Sequence, residues 1–300
     1  MFSLQQLSDA WNTFFFTPEP VYTIALFRIV FGLILLYDSF FIWANALEYL
    51  GPQGLLGYER YQQRYHKKSL SLFLYLPPTP LAVHAVLAFH VFFLVMMILG
   101  IFTTISVMAV FITLNSIINR NVSLCNGGDN LSRIMCFLLI FTPCGQAWSA
   151  DQWWQHHQFI TPGYITMQAP WALRLMQIQV SIIYLYTVYW KLKGATYRKG
   201  IAMYYITAND VYRRYRVPRF LLQKPFVQIL TWGALIIEFA LGIGLWIKEV
   251  QYIFLVIGYL FHLAIEYMLN IHLFGWHMLA VLLLFANPVD VYHVIGSWLA

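Results

Sequence analysis

What most constrains this chain is a succession of apolar runs that approach or exceed the roughly 18 residues needed to cross the hydrocarbon core of a bilayer. They fall at 21–44, 80–100, 102–119, 131–148, 171–192, 226–247, 251–270 and 272–287. At about 1.5 Å of rise per residue each is long enough to cross, some by tilting and the shorter ones with little to spare. Between the last two runs only Asn270 and His272, with Gly275 just beyond, mark a break, so the count is seven or eight. Charged residues make up 10% of the chain, against about 25% in a soluble domain, and 60% of residues are hydrophobic, which excludes a water-soluble core. Abundant Trp, Tyr and Phe add the aromatic signature of membrane interfaces. The expected fold is all-α: a polytopic integral membrane protein, a bundle of about 7–8 transmembrane helices with interfacial helices in two long loops.

Those loops cover 45–79 and 193–225, and both carry Gly and Pro punctuation. Residues 201–206 and 220–222 are too apolar for free coil, which predicts helices lying at the membrane surface. Residues 1–20 have no Lys or Arg and mix Leu, Trp and Phe with Gln, Ser and Asp before Pro18 and Pro20. They read as an N-terminal interfacial segment rather than a cleaved signal peptide. The transmembrane domain then runs 21–287, with a short C-terminal tail at 288–300.

The net charge of +6 does not point to nucleic acid, because the basic residues cluster in loops beside apolar spans, where topology and anionic headgroups account for them. Fifteen of the eighteen lie in the first long loop, the 119–133 turn and the 191–224 stretch, all on one side of an eight-helix arrangement. The positive-inside rule puts that side in the cytoplasm and both termini outside. Cys125, Cys136 and Cys144 form neither a disulfide framework nor a metal pattern, and no metal site is expected.

Ionisable residues inside spans are costly and mark either buried ion pairs or functional sites. Arg28 lies in Ala25-Leu26-Phe27-Arg28-Ile29-Val30-Phe31-Gly32, with Asp38 following. Glu238 and Glu266 sit in apolar sequence, and His262 precedes Glu266 by four residues on one helical face, a spacing open to proton relay or to packing. In the turn after the third run, Asn119, Arg120, Asn126, Asp129 and Arg133 are suited to a turn and helix cap, or to holding an anionic or carbonyl-bearing ligand. The fifth run is the richest. Residues 177, 181 and 184 share a helical face, as do 184, 187 and 191, so a polar stripe carrying Gln177 and Tyr184 leads to Lys191. A desolvated lysine can serve as base or nucleophile, whereas a lysine at a helix end can also simply snorkel to the interface.

Four stretches, 25–32, 119–133 with 148–151, 174–205 and 262–280, resemble the horizontally transferred transmembrane (HTTM) family, which is related to the membrane domain of vitamin K-dependent γ-carboxylase. The likeness covers about residues 21–287 and is most specific around Gln177-Ile178-Gln179, Tyr184, Lys191-Leu192 and Gly200-Ile201-Ala202-Met203-Tyr204-Tyr205. The resemblance implies that Lys191, directly before a leucine, is the base that deprotonates a quinol. It also implies a quinone-like or lipid ligand, with Arg28, Asn119, Arg120, Asn126, Asp129, Arg133, Gln177, Tyr184, Tyr204, Glu238 and His262 as candidate ligand-binding residues.

Two departures argue against full γ-glutamyl carboxylation. Asn126-Gly127-Gly128 stands where the carboxylases have Asn-Asn-His, and the chain ends at Ala300 without their large soluble region. The resemblance to the carboxylases implies that the lysine region lies on the lumenal side, which conflicts with the charge count.

The leading expectation is a multi-pass protein of the bacterial cytoplasmic (inner) membrane, with a polar cavity around Lys191, Gln177, Tyr184 and Arg120. The alternatives are a non-enzymatic membrane partner or maturation or export factor for a secreted peptide or protein, and a transporter. Membrane lipid is the expected partner, with a protein or peptide as a further one and no nucleic acid.

Overall fold

A computed structural model describes residues 3–65, 70–122, 125–157 and 166–299. Almost all of its regular structure is α-helical. The chain divides into two compact units, Met1–Arg174 with Asn287–Ala300, and Leu175–Ala286.

The first unit opens with α1 (Leu4–Phe16), started by a capping box between Ser3 and Gln6. Leu4, Trp11 and Phe16 remain exposed while Phe15 is buried, the distribution expected of a helix lying in an interface. A two-residue antiparallel pairing of β1 (Glu19–Pro20) with β2 (Met167–Gln168) follows. Next come α2 (Tyr22–Ala44), α3 (Ala46–Leu50), α4 (Tyr58–Tyr65), α5 (Pro80–Leu99), α6 (Thr103–Arg120), α7 (Gly127–Leu139) and α8 (Ala150–His156). The helix α9 (Trp171–Lys193) begins in this unit and continues into the second, and α15 (Pro288–Leu299) returns to the first. The second unit adds α10 (Ala195–Arg198), α11 (Ala202–Ala208), α12 (Lys224–Gly244), α13 (Gln251–Met268) and α14 (Phe274–Leu282).

Among the described residues four helices, α2, α5, α12 and α13, are long and apolar enough to cross a membrane, and a fifth crossing results if Phe274–Phe285 and Pro288–Ile295 count as one broken span. Short helices occupy both long loops as expected: α3 and α4 in the first, α10, α11 and a 3-10 turn at Arg219–Leu222 in the second. The expected helix at 131–148 differs. It ends at Leu139, because Thr142-Pro143-Cys144-Gly145 cannot continue it, and residues 140–149 form a turn instead. The C-terminal residues are helical rather than a simple tail.

That turn folds around Arg28, which is fully buried. Its guanidinium donates from Nη1 to the Cys144 carbonyl at 2.6 Å and from Nη2 to the Trp148 carbonyl at 2.5 Å. Beside it, Gly100 closes α5 in the left-handed region at φ 69°, and a Cβ there would lie 2.9 Å from Nη1. Asp151 then caps α6, accepting from the Phe102 and Thr103 amides at 2.8 Å and from the Thr103 hydroxyl at 2.7 Å. A carboxylate at a helix N-terminus offsets the dipole and the unpaired amides. Helices α2 and α5 approach closely at Gly32, where a Cβ would meet the Ile98 side chain at 2.6 Å.

Arg120 anchors the opposite end of this unit. It donates to the Leu56 carbonyl at 2.8 Å and the Gly51 carbonyl at 2.5 Å, with its charge over the Tyr61 ring at 4.9 Å. These bonds fasten the first long loop to the end of α6.

Replacing Arg28 with leucine leaves two buried carbonyls without donors, at about 1–3 kcal/mol each. Thermal unfolding of the detergent-solubilised Arg28→Leu protein should show a loss of about 2–6 kcal/mol. Arg28→Lys should recover only part of it, because an ammonium lacks the planar fork that spans two carbonyls.

Candidate functional site

Within the second unit, four residues of the polar stripe of α9, Gln177, Ser181, Tyr184 and Lys191, are met by partners on neighbouring elements. Gln177 donates to the Leu284 carbonyl at 2.7 Å, and the Trp246 indole donates to the Ser181 hydroxyl at 2.7 Å. The Tyr184 hydroxyl and His262 Nε2 share a 2.7 Å hydrogen bond whose donor is set by the imidazole tautomer. Lys191 Nζ donates to Glu238 Oε1 at 2.5 Å. The spacing read from the sequence thus becomes a ladder joining α9 to α12, α13 and the turn after α14. Gly242 lets α12 come close to α9, since a Cβ there would lie 2.8 Å from the Leu185 side chain.

At the end of the ladder, Lys191 and Glu238 neutralise each other in surroundings that would otherwise exclude both charges. The lysine side chain is 24% exposed and the glutamate 9%. Lys191 also lies 5.7 Å from the centre of the Tyr197 ring, a neighbour that helical periodicity could not reveal because α10 lies beyond a break at Gly194. Burial pushes the Tyr197 phenol up, and the nearby Glu238 carboxylate adds to the effect, so its hydroxyl stays protonated. Glu238 Oε2 and His262 Nδ1 are both buried and have no hydrogen-bond partner among the described residues. The site therefore holds an ion pair with one open carboxylate oxygen and a tyrosine–histidine pair with one open ring nitrogen. Each pair holds an exchangeable proton between its own two members.

Glu266 is occupied differently from the reading its spacing invites. It accepts from Arg214 at 3.0 Å and from the Gly275 amide at 3.2 Å, tying the second long loop and the start of α14 to α13. Backbone bonds from Arg214 to Met268 and from Asn270 to Tyr212 complete that clip. Tyr204 is 45% exposed and packs edge-on against Tyr205.

The remaining candidates belong to the first unit, where protein groups bond each of them, with Arg28 Nε left without a partner among the described residues. Besides Arg28 and Arg120, Asn119 donates to the Leu70 carbonyl and accepts from Arg133, both at 3.0 Å. Arg133 also donates to Asn130 at 2.8 Å. Asn126 and Asp129 form the capping box of α7, in which Gly128 gives its amide to Asn126 at 2.6 Å. The nearby Cys125 thiol is pushed up by burial and by Asp129, with Arg133 opposing, which keeps it a thiol at neutral pH. Among the described residues no group of His, Cys, Asp or Glu is placed to hold a metal ion.

The HTTM domain matches residues 16–289. The chain belongs to the HTTM domain family. This HTTM chain is similar to the sporulation-delaying protein SdpB of Bacillus subtilis (strain 168), at 25% identity over 177 residues, which is 55% of this chain and 52% of that one. It is also similar to the uncharacterized protein YitO of the same organism, at 26% identity over 176 residues and 55% of each chain. The chain spans about half the length of the curated relatives it matches. No solved structure matches it. Family and apolar helices together identify a multi-pass membrane protein in contact with lipid.

A double-mutant cycle tests the ion pair. Lys191→Met strands a buried carboxylate and should lower stability by about 2–4 kcal/mol. Adding Glu238→Gln to that variant should recover part of the loss, a coupling that thermal unfolding of the two single variants and the double variant will measure.

Proposed function

We propose that this HTTM chain is a membrane-embedded enzyme in which Lys191 acts as base toward a quinone-like or lipid ligand, without carrying out full γ-glutamyl carboxylation. The observation that carries this reading is the Lys191–Glu238 pair beside a buried and unpartnered carboxylate oxygen. Shifting one proton from Nζ to Oε1 along the 2.5 Å hydrogen bond leaves a neutral amine and a neutral acid. The amine then accepts a proton from a ligand hydroxyl, which leaves that ligand as its anion beside the ammonium. Tyr184 and His262 lie on the same ladder and supply a second donor and acceptor. Gly128, where the carboxylases have histidine, serves as part of a helix cap, which is why the full carboxylase reaction is not assigned.

The same reading takes 21–287 as one transmembrane domain of seven or eight crossings in a bacterial cytoplasmic membrane. Helices α6 and α9 are about 27 and 35 Å long, near the roughly 30 Å of a bilayer core. Their polar residues keep them below the apolarity of the other spans, and these residues find partners inside the protein. The broken pair around Asn287 brings the count to seven, and α7, at 13 residues about 20 Å long, reaches only part of the way across.

The similarity to a sporulation-delaying protein favours a second reading, a non-enzymatic partner or maturation or export factor for a secreted peptide. One comparison separates the two. Wild type, Lys191→Ala and Glu238→Gln are purified from the same host, and their co-purifying small molecules are identified by mass spectrometry. The enzyme reading expects a stoichiometric quinone or lipid in wild type, depleted at least tenfold in Lys191→Ala at equal protein recovery. Identical extracts from all three proteins, together with a stoichiometric protein partner, would replace it with the second reading.

A further inference from the structure

The first unit contains a cavity of about 630 Å³ that no candidate residue of the sequence reading lines. It lies between the start of α6, the turn after α7, α8 and the β2 strand leading into α9. Its size is that of a small-molecule site rather than of a bound water or ion. Thr104, Thr142, Gln146, Gln152, Gln155 and Gln168 give it a wall of hydroxyls and carboxamides. Among the described lining residues there is no lysine or arginine, and the Asp151 carboxylate is already committed to the N-terminus of α6. Recognition here therefore runs through neutral hydrogen bonds. Gln152 is 7% exposed, and its carboxamide oxygen has no hydrogen-bond partner among the described residues. An open acceptor on a residue that lines a polar cavity can be satisfied by a ligand donor once the side chain turns toward it. Trp171 at the edge, partly exposed and 6.1 Å from Phe141 between ring centres, supplies an aromatic surface.

We propose that this cavity binds a neutral sugar, as a free saccharide or as the headgroup of a glycolipid. Each carboxamide offers both donors and an acceptor, and the Thr142 hydroxyl, which donates to the Leu139 carbonyl, still offers an acceptor, which matches sugar hydroxyls that also donate and accept. The C–H face of a pyranose ring is apolar and packs on indole. Among the described lining residues His156 is the one side chain that can carry positive charge, and it already interacts within the protein. The basic residues of 45–79 and of the 119–133 turn lie beyond the other ends of α5 and α6, so the positive-inside rule places the cavity on the extracytoplasmic side.

The test uses the full chain in phosphatidylcholine nanodiscs, with maltose and a monoglucosyl diacylglycerol as sugar probes and triglycine and inorganic phosphate as controls. Titration calorimetry follows the soluble probes, and native mass spectrometry follows the lipid. Saturable binding of either sugar probe is expected, weakened at least tenfold in Gln152→Leu and in Gln155→Ala. Gln155 is exposed, so Gln155→Ala should keep the wild-type melting temperature and report on binding alone. Binding of maltose identifies a free saccharide as sufficient, and binding of the glycolipid alone identifies a membrane headgroup. Failure of both sugars to bind, equal binding by both variants, or saturation by triglycine or phosphate in place of sugar would overturn the proposal. This outcome is independent of Lys191.

Discussion

Inside an apolar helix bundle, a polar group that finds no partner in the protein finds none at all, and this constraint organises every element of the chain. Arg28 closes the turn at 140–149 because its guanidinium needs carbonyls and that turn presents two of them. Arg120 draws the first long loop onto the end of α6 for the same reason. In the second unit the constraint is met along a line, with Gln177, Ser181, Tyr184 and Lys191 of one helix each paired to a different part of the fold. Open atoms remain on both kinds of residue: Arg28 keeps an unpartnered Nε beside its two carbonyl bonds, while Glu238 Oε2, His262 Nδ1 and Gln152 Oε1 are open next to groups that can exchange a proton or line a cavity.

Local pattern made much of this legible before any geometry. Apolar length located α2, α5, α6, α9, α12 and α13 to within a few residues, because the cost of exposing a helical backbone to lipid leaves little freedom in where a span ends. The polar face of α9 was legible for the same reason, since 3.6-residue periodicity is a property of one helix. At 131–148 composition misled. The stretch is apolar enough to cross, but Pro143 and Gly145 end the helix early, and the turn owes its shape to an arginine 116 residues away in sequence.

Partners across long separations were not legible. A guanidinium bonded to main-chain carbonyls carries no complementary residue type that sequence could reveal, so Arg28 and Arg120 looked as much like ligand groups as like anchors. Lys191 and Glu238, 47 residues apart, were both visible as intramembrane charges, but only the packing of α12 on α9 joins them. The glutamine-rich cavity escaped notice because Gln146, Gln152 and Gln155 occupy a short polar stretch that reads as an ordinary loop.

The central claim is that the Lys191–Glu238 pair moves a proton rather than merely cancelling two charges. Infrared difference spectroscopy of the reconstituted protein, recorded on adding the quinone and lipid fraction of its host membrane, observes the Glu238 carboxyl directly. The account predicts a change in carboxyl protonation that disappears in Glu238→Gln and in Lys191→Ala. Carboxyl spectra that are the same in wild type and Glu238→Gln would contradict it.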